Sequence, residues 1–109
     1  FKSFRDVIIL KNAGFNDYNC IEIALQMTDF KNVIRLKEAG FKDVYCLEGA
    51  ATLENLENAI KLKNVGFDDY FSINYSEYVD DNEIIKLMNL KIRGYRDIEC
   101  GNILKIEMI

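Results

Sequence analysis

Hydrophobic residues in this chain of 109 fall into short runs with helical spacing. Phe30, Val33, Ile34 and Leu36 lie close to the i, i+3, i+4, i+7 pattern of an amphipathic helix. The same places are filled by Phe4, Val7, Ile8 and Leu10, and again by Leu56, Ala59, Ile60 and Leu62. A second stripe follows each of the first two: Ile21, Ala24 and Leu25, then Leu47, Ala50 and Ala51. The polar letters between the stripes repeat as well. "ILKNAGFND", "RLKEAGFKD", "KLKNVGFDD" and "NLKIRGYRD" share one template, with Gly14, Gly40, Gly66 and Gly94 spaced 26, 26 and 28 residues apart. The pattern predicts two short helices per unit.

Aligning the units on glycine exposes further columns. Leucine stands four residues before each glycine and lysine three before (Lys11, Lys37, Lys63, Lys91). An aromatic follows each glycine, aspartate comes three after it (Asp17, Asp43, Asp69, Asp97), and Cys20, Cys46, Ser72 and Cys100 come six after. The glycines read as C′ caps, where a residue of left-handed conformation takes the chain out of a helix. The lysines fall in the last turn, where a cation suits the helix dipole. Ser3, Asp29 and Asn55 read as N-caps of the first helices. In the fourth unit Asp80 and Glu83 approach a capping box. The aspartate column opens the second helix, as N-cap or in its first turn. A helix pair of this size cannot bury its apolar face alone, so the expected fold class is all-α, a short α-solenoid of about four helix–turn–helix repeats. The units run approximately 3–28, 29–54, 55–82 and 83–109, in one repeat domain that reads as a segment of a larger protein.

The Gly-aromatic turn followed by a helix, as in "AGF" and the later "LENAIKL", resembles the ubiquitin-associated domain. In that family a Met-Gly-Phe or Met-Gly-Tyr loop and the last helix bind ubiquitin. The resemblance would place Gly40, Phe41 and the helix from Leu56 to Leu62 in such a patch. The residue before glycine is Ala13, Ala39, Val65 or Arg93 rather than Met, and the period is shorter than that three-helix domain. The "GF" before a helix is also similar to TAL-like DNA-binding repeats, but this unit has no room for their base-reading loop. Ankyrin and tetratricopeptide repeats are excluded by their periods of about 33 and 34 residues.

Charge and composition narrow the function. Acids outnumber bases 18 to 14, for a net charge of −4, so no Lys/Arg stripe is available for a phosphate backbone and no nucleic-acid partner is expected. No apolar run reaches the roughly 20 residues that span a bilayer, so no membrane partner is expected either. The three cysteines lie whole repeats apart, a spacing that reads as buried packing rather than a metal site. Without histidine they also lack the usual activating base. The expectation is no cofactor, no metal and no enzymatic activity. Asp80 and Asp81 are the nearest thing to a carboxylate pair, and adjacent carboxylates are usually solvated.

The irregular places are the candidate binding sites. The third unit carries two extra residues and is rich in aromatics, and Tyr70, Phe71, Tyr75 and Tyr78 on a polar rim suit a protein-binding hot spot. The competing reading is a longer connection whose tyrosines cover the core edge. Ile92 stands where the other units have Asn12, Glu38 and Asn64, and Ile85 where they have Arg5, Lys31 and Glu57. The apolar "NILKIEMI" tail completes an end that should meet further repeats, another domain or a second copy. Ile103, Ile106 and Met108 are expected to fold back over the last helix. The functional reading is a non-enzymatic protein–protein interaction module or scaffold. The alternative is a ubiquitin-binding helical domain. An Ile- and Asn-rich composition fits an AT-rich genome, and with it an effector-like protein, cytoplasmic or delivered into a host cell.

Overall fold

The computed structural model describes residues 4–54 and 56–107. Ser3 and Asn55, expected as caps, and Met108 in the tail lie outside these residues. The described residues form eight helices and no strand: α1 Phe4–Asn12, α2 Asp17–Gln26, α3 Lys31–Glu38, α4 Asp43–Thr52, α5 Leu56–Val65, α6 Asp69–Tyr78, α7 Asp81–Ile92 and α8 Asp97–Ile103. Each repeat therefore contributes one helix pair. The chain divides into two compact units, residues 1–50 and 51–109. In the first, α1 packs on α2. In the second, α5 packs on α6 and α7, α7 on α8, and α6 on α8. In the second unit pair stacks on pair, and the fold class is all-α, consistent with a short helical solenoid.

The repeated nine-residue template is a Schellman motif. The glycine N–H bonds to the lysine carbonyl three residues back, as in Gly40 N to Lys37 O at 3.0 Å. The aromatic N–H bonds to the leucine carbonyl five back, as in Phe67 N to Leu62 O at 3.1 Å. These are the 5→2 and 6→1 bonds that satisfy the last helical carbonyls. The glycine φ angles are +107°, +100°, +114° and +100°, conformations that side chains with a Cβ resist. The hydrophobic contact that accompanies such a cap is present too. Leu62 and Phe67 are buried in one cluster with Tyr75, Ile84, Leu87 and Cys100. Phe15 and Phe41 are likewise buried.

A fifth turn of the same kind closes α8. Lys105 N bonds to Asn102 O, and Ile106 N to Gly101 O at 2.9 Å. The residue at the left-handed position is Lys105, with φ +55°. Non-glycine residues there cost about 1 kcal/mol. Lys105→Gly should therefore raise the urea midpoint by about 0.5–1 kcal/mol of stability, and an unchanged or lower midpoint would show that the lysine stem compensates. This turn brings Ile106 against the core cluster, as the fold-back expectation had it, together with Leu104, while Ile103 stays exposed.

The aspartate column takes one of its two expected places, the first turn, while Asp29 departs from its expected cap position. The aspartate column is the first helical residue, and the N-cap is the residue before it. Asn16 accepts from Asn19 N at 2.8 Å and Asp68 from Phe71 N at 2.9 Å. Asp29 accepts from Lys31 N at 2.9 Å, one residue outside the cap position held by Phe30. Asp80 and Glu83 form the capping box, with Glu83 N to Asp80 Oδ1 at 2.8 Å and Asp80 N to Glu83 Oε1 at 3.3 Å. The two extra residues do not lengthen a connection. Only residues 79 and 80 join α6 to α7, and the insertion is taken up by α7, which at 12 residues exceeds α1, α3 and α5. The box supplies the reason, because it starts the helix earlier than the other repeats do.

Candidate functional site

The lysine and aspartate columns meet. Lys11 pairs with Asp17, Lys37 with Asp43, Lys63 with Asp69 and Lys91 with Asp97, each bridge spanning its own glycine turn. Within each unit the pair also clamps the preceding repeat. Lys37 Nζ lies 5.5 Å from the centre of the Phe15 ring, and Lys91 Nζ the same distance from the Phe67 ring. Both are cation–π distances. Asp43 accepts from the Asn19 amide at 2.9 Å and from the Asn16 backbone N–H. Asp97 accepts from Asp68 N at 2.9 Å. Burial pushes the Asp43 carboxyl up, but the Lys37, Asn19 and Asn16 donors outweigh it and hold it below the usual range. Its stabilising effect is present above the ordinary carboxyl pKa and is lost as pH falls below it. The sequence showed the signal: a cap tolerates Asn or Ser and a dipole cation tolerates Arg, yet these two columns never vary.

The cysteine column is structural. Cys20, Cys46 and Cys100 are free and buried. Cys20 Sγ donates to Phe15 O at 3.6 Å and Cys46 Sγ to Phe41 O at 3.5 Å, and Ser72 Oγ fills the same place on Phe67 O at 3.4 Å. Burial raises the pKa of Cys20 and Cys100. Among the described residues no group of three His, Cys, Asp or Glu side chains is placed to hold a metal ion. Asp80 and Asp81 are both engaged, Asp80 in its capping box and Asp81 as acceptor from buried Asn58 at 3.0 Å. That hydrogen bond sits in a polar cleft of about 470 Å³ lined by Thr52, Leu53, Glu54, Asn58, Ser76, Glu77, Val79 and Asp81.

The aromatic cluster of the third repeat is divided by the structure. Tyr70 and Tyr78 are exposed, Phe71 is half-buried, and Tyr75 is buried. Tyr75 is thus a core residue and not a partner-binding one. Its hydroxyl donates to Asp97 O at 2.7 Å, and its ring stands edge-on to Phe67 at 5.8 Å. Tyr70 stacks edge-on to Phe71 at 5.2 Å, and Phe71 touches Tyr75 at the same distance. Ile92 is exposed at the end of α7.

Burial drives the Tyr75 hydroxyl up to about 12, against a partial offset from the Gly101 N–H. The raised folded value means that this contribution is complete below the ordinary tyrosine pKa of about 10 and is lost between pH 10 and 12. The buried Cys20 and Cys100 thiols, also raised by burial, act in the same direction. Urea midpoints should therefore decline at alkaline pH, by on the order of 2–3 kcal/mol from Tyr75 alone at pH 12. A flat profile to pH 12 would contradict the burial of these groups.

One surface column escaped the sequence reading as a column, although its member Tyr70 was among the candidate residues. The residue after each repeat's aspartate is apolar and exposed in every repeat: Tyr18 and Val44 in the first unit, Tyr70 and Ile98 in the second. It lies off the apolar stripe, next to the helix start, so periodicity alone passed over it. The signal was the column itself, apolar four times beside an invariant acid. The Gly-Phe turns, by contrast, present little. Phe15, Phe41 and Phe67 are buried, and only Tyr95 of that column is exposed. Among the described residues no helix is long and apolar enough to cross a membrane. No family model, no curated protein and no solved structure matches the chain.

Proposed function

We propose that this chain is a non-enzymatic protein-interaction module, a helical-repeat scaffold that meets its partner through the first turns of the second helices. The observation that carries this reading is the exposed apolar column, Tyr18 with Val44 in one unit and Tyr70 with Ile98 in the other. Single exposed apolar residues are ordinary on protein surfaces, but one at the same place in every repeat is not scatter. Aromatic side chains are the usual anchors of such contacts. The chain is acidic overall, with a net charge of −4, so a partner with apolar and basic side chains fits best. An effector-like role, in the cytoplasm or in a host cell, belongs to the same proposal and is supported by composition alone.

The ubiquitin-binding alternative needs exposed Gly-Phe turns, and the burial of Phe41 weighs against it. The test separates the two. A partner captured by the native chain is purified and titrated against Tyr18→Glu/Val44→Glu and Tyr70→Glu/Ile98→Glu chains. Loss of affinity of about tenfold or more in at least one supports the column. Equal binding by all three chains would remove it. Ubiquitin shifting the resonances of Gly40 and Phe41 would restore the alternative.

A further inference from the structure

The joint between repeats has two unlike faces. In the second unit, Ile84 at the start of α7 is buried among Leu62, Phe67 and Tyr75 of the preceding repeat. Phe30 holds the same column in the second repeat and is also buried. In the first repeat that column is Phe4, which is 75% exposed. The Lys11–Asp17 pair beside it is exposed as well, where Lys37–Asp43 and Lys91–Asp97 are largely covered. The front face of the first repeat is therefore an uncovered copy of a face that is buried elsewhere in the chain.

The back face of the fourth repeat is open in the complementary way. The columns that hold Ile84 in place, Leu62, Phe67 and Tyr75, become Leu90, Tyr95 and Ile103. Tyr95 is 40% exposed and Ile103 48%, where Phe67 and Tyr75 are each 1%. Leu90 and Ile103 line a groove of about 200 Å³ with Lys86, Asn89, Arg93 and Leu104. The turn donor corresponds too. Asp68 N is accepted by Asp97 of the following repeat, whereas Arg96 N is accepted by Glu99 of its own helix at 2.9 Å.

We propose that the chain associates head to tail with a second copy of itself, the first repeat of one copy docking on the fourth repeat of the next. Phe4 enters the groove over Leu90 and Ile103, as Ile84 enters its place over Leu62 and Tyr75. Lys11 lies over the Tyr95 ring, as Lys91 lies over Phe67. Asp17 replaces Glu99 at the Arg96 N–H, and the cations Lys86 and Arg93 that line the groove favour its approach. A second copy is the occupant because the chain itself carries the matching face with the same lysine and aspartate. The contact is heterologous, so it does not close on itself as a two-fold dimer would.

Sedimentation velocity of the native chain across rising concentration tests this. The mean mass should grow with concentration. Phe4→Glu and Ile103→Glu should each weaken self-association about tenfold or more, and both sites are exposed enough for the folded helix content to survive. Mixing the two variants should restore a one-to-one complex, because each retains one intact face. Lys61→Glu, on an exposed position of the third repeat and outside both faces, should associate like the native chain. A native chain that stays monomeric throughout overturns the proposal. So does a mixture of folded variants that fails to pair, the result an isologous dimer would give.

Discussion

Gly101→Ala should destabilise the chain by roughly 3 kcal/mol, the upper end of what overpacking costs. A Cβ placed on Gly101 would lie 2.2 Å from the Tyr75 hydroxyl oxygen and 2.8 and 2.9 Å from two ring carbons. The ring cannot step aside cheaply. It is buried, held edge-on to Phe67 and tied by its hydroxyl to Asp97 O. The two residues are matched departures from the repeat. The Tyr75 column otherwise holds Ile23, Gly49 and Ile103, and the Gly101 column holds Ile21, Leu47 and Ile73. Tyr75→Ile alone should also cost about 3 kcal/mol, from lost volume and from the lost hydroxyl bond. The double substitution Tyr75→Ile/Gly101→Ala should cost less than the sum by about 1–3 kcal/mol, the range of coupling between touching residues. Urea denaturation of all four chains measures this, and strict additivity would mean that the glycine does not make room for the tyrosine.

Gly40→Val is the second large effect, at about 2–3 kcal/mol. Its φ of +100° is hostile to a β-branched side chain, and the turn cannot relax without giving up the bonds from Gly40 N and Phe41 N that close α3. Gly94→Ala isolates the conformational part. Its φ is also +100°, and an added Cβ there meets nothing within 4 Å. It should cost about 1–2 kcal/mol, the strain of left-handed backbone alone. Thermal melts of both variants would decide the matter, and a Gly94→Ala chain as stable as the native one would mean that the turn flattens to negative φ.

The helix pairs and their terminators were legible because local rules force them. A 3.6-residue stripe and a repeated glycine leave little choice of structure. The Lys–Asp clamp was not, because each column already had a sufficient local account, one as dipole partner and one as cap. Tertiary pairing gave both residues a second role that no single helix reveals. Tyr75 was misplaced for a related reason. Its neighbours Ser72, Asn74 and Ser76 make α6 look poorly amphipathic. Ser72 Oγ donates to Phe67 O, Asn74 Nδ2 to Tyr70 O at 2.8 Å and Ser76 Oγ to Ser72 O at 2.6 Å. With those polar groups satisfied by backbone carbonyls, the helix buries a face that hydropathy would leave in water.

The fitted pair of Tyr75 and Gly101 also gives the repeats an address. Four units built on one template could in principle be assembled in any sequence, and repeat chains are prone to such mispairing as they fold. Here the fourth unit carries a notch that only the third unit fills. Set behind the first unit instead, Gly101 would face the shorter Ile23 and leave a void. Order along the array is therefore written in shape at this contact.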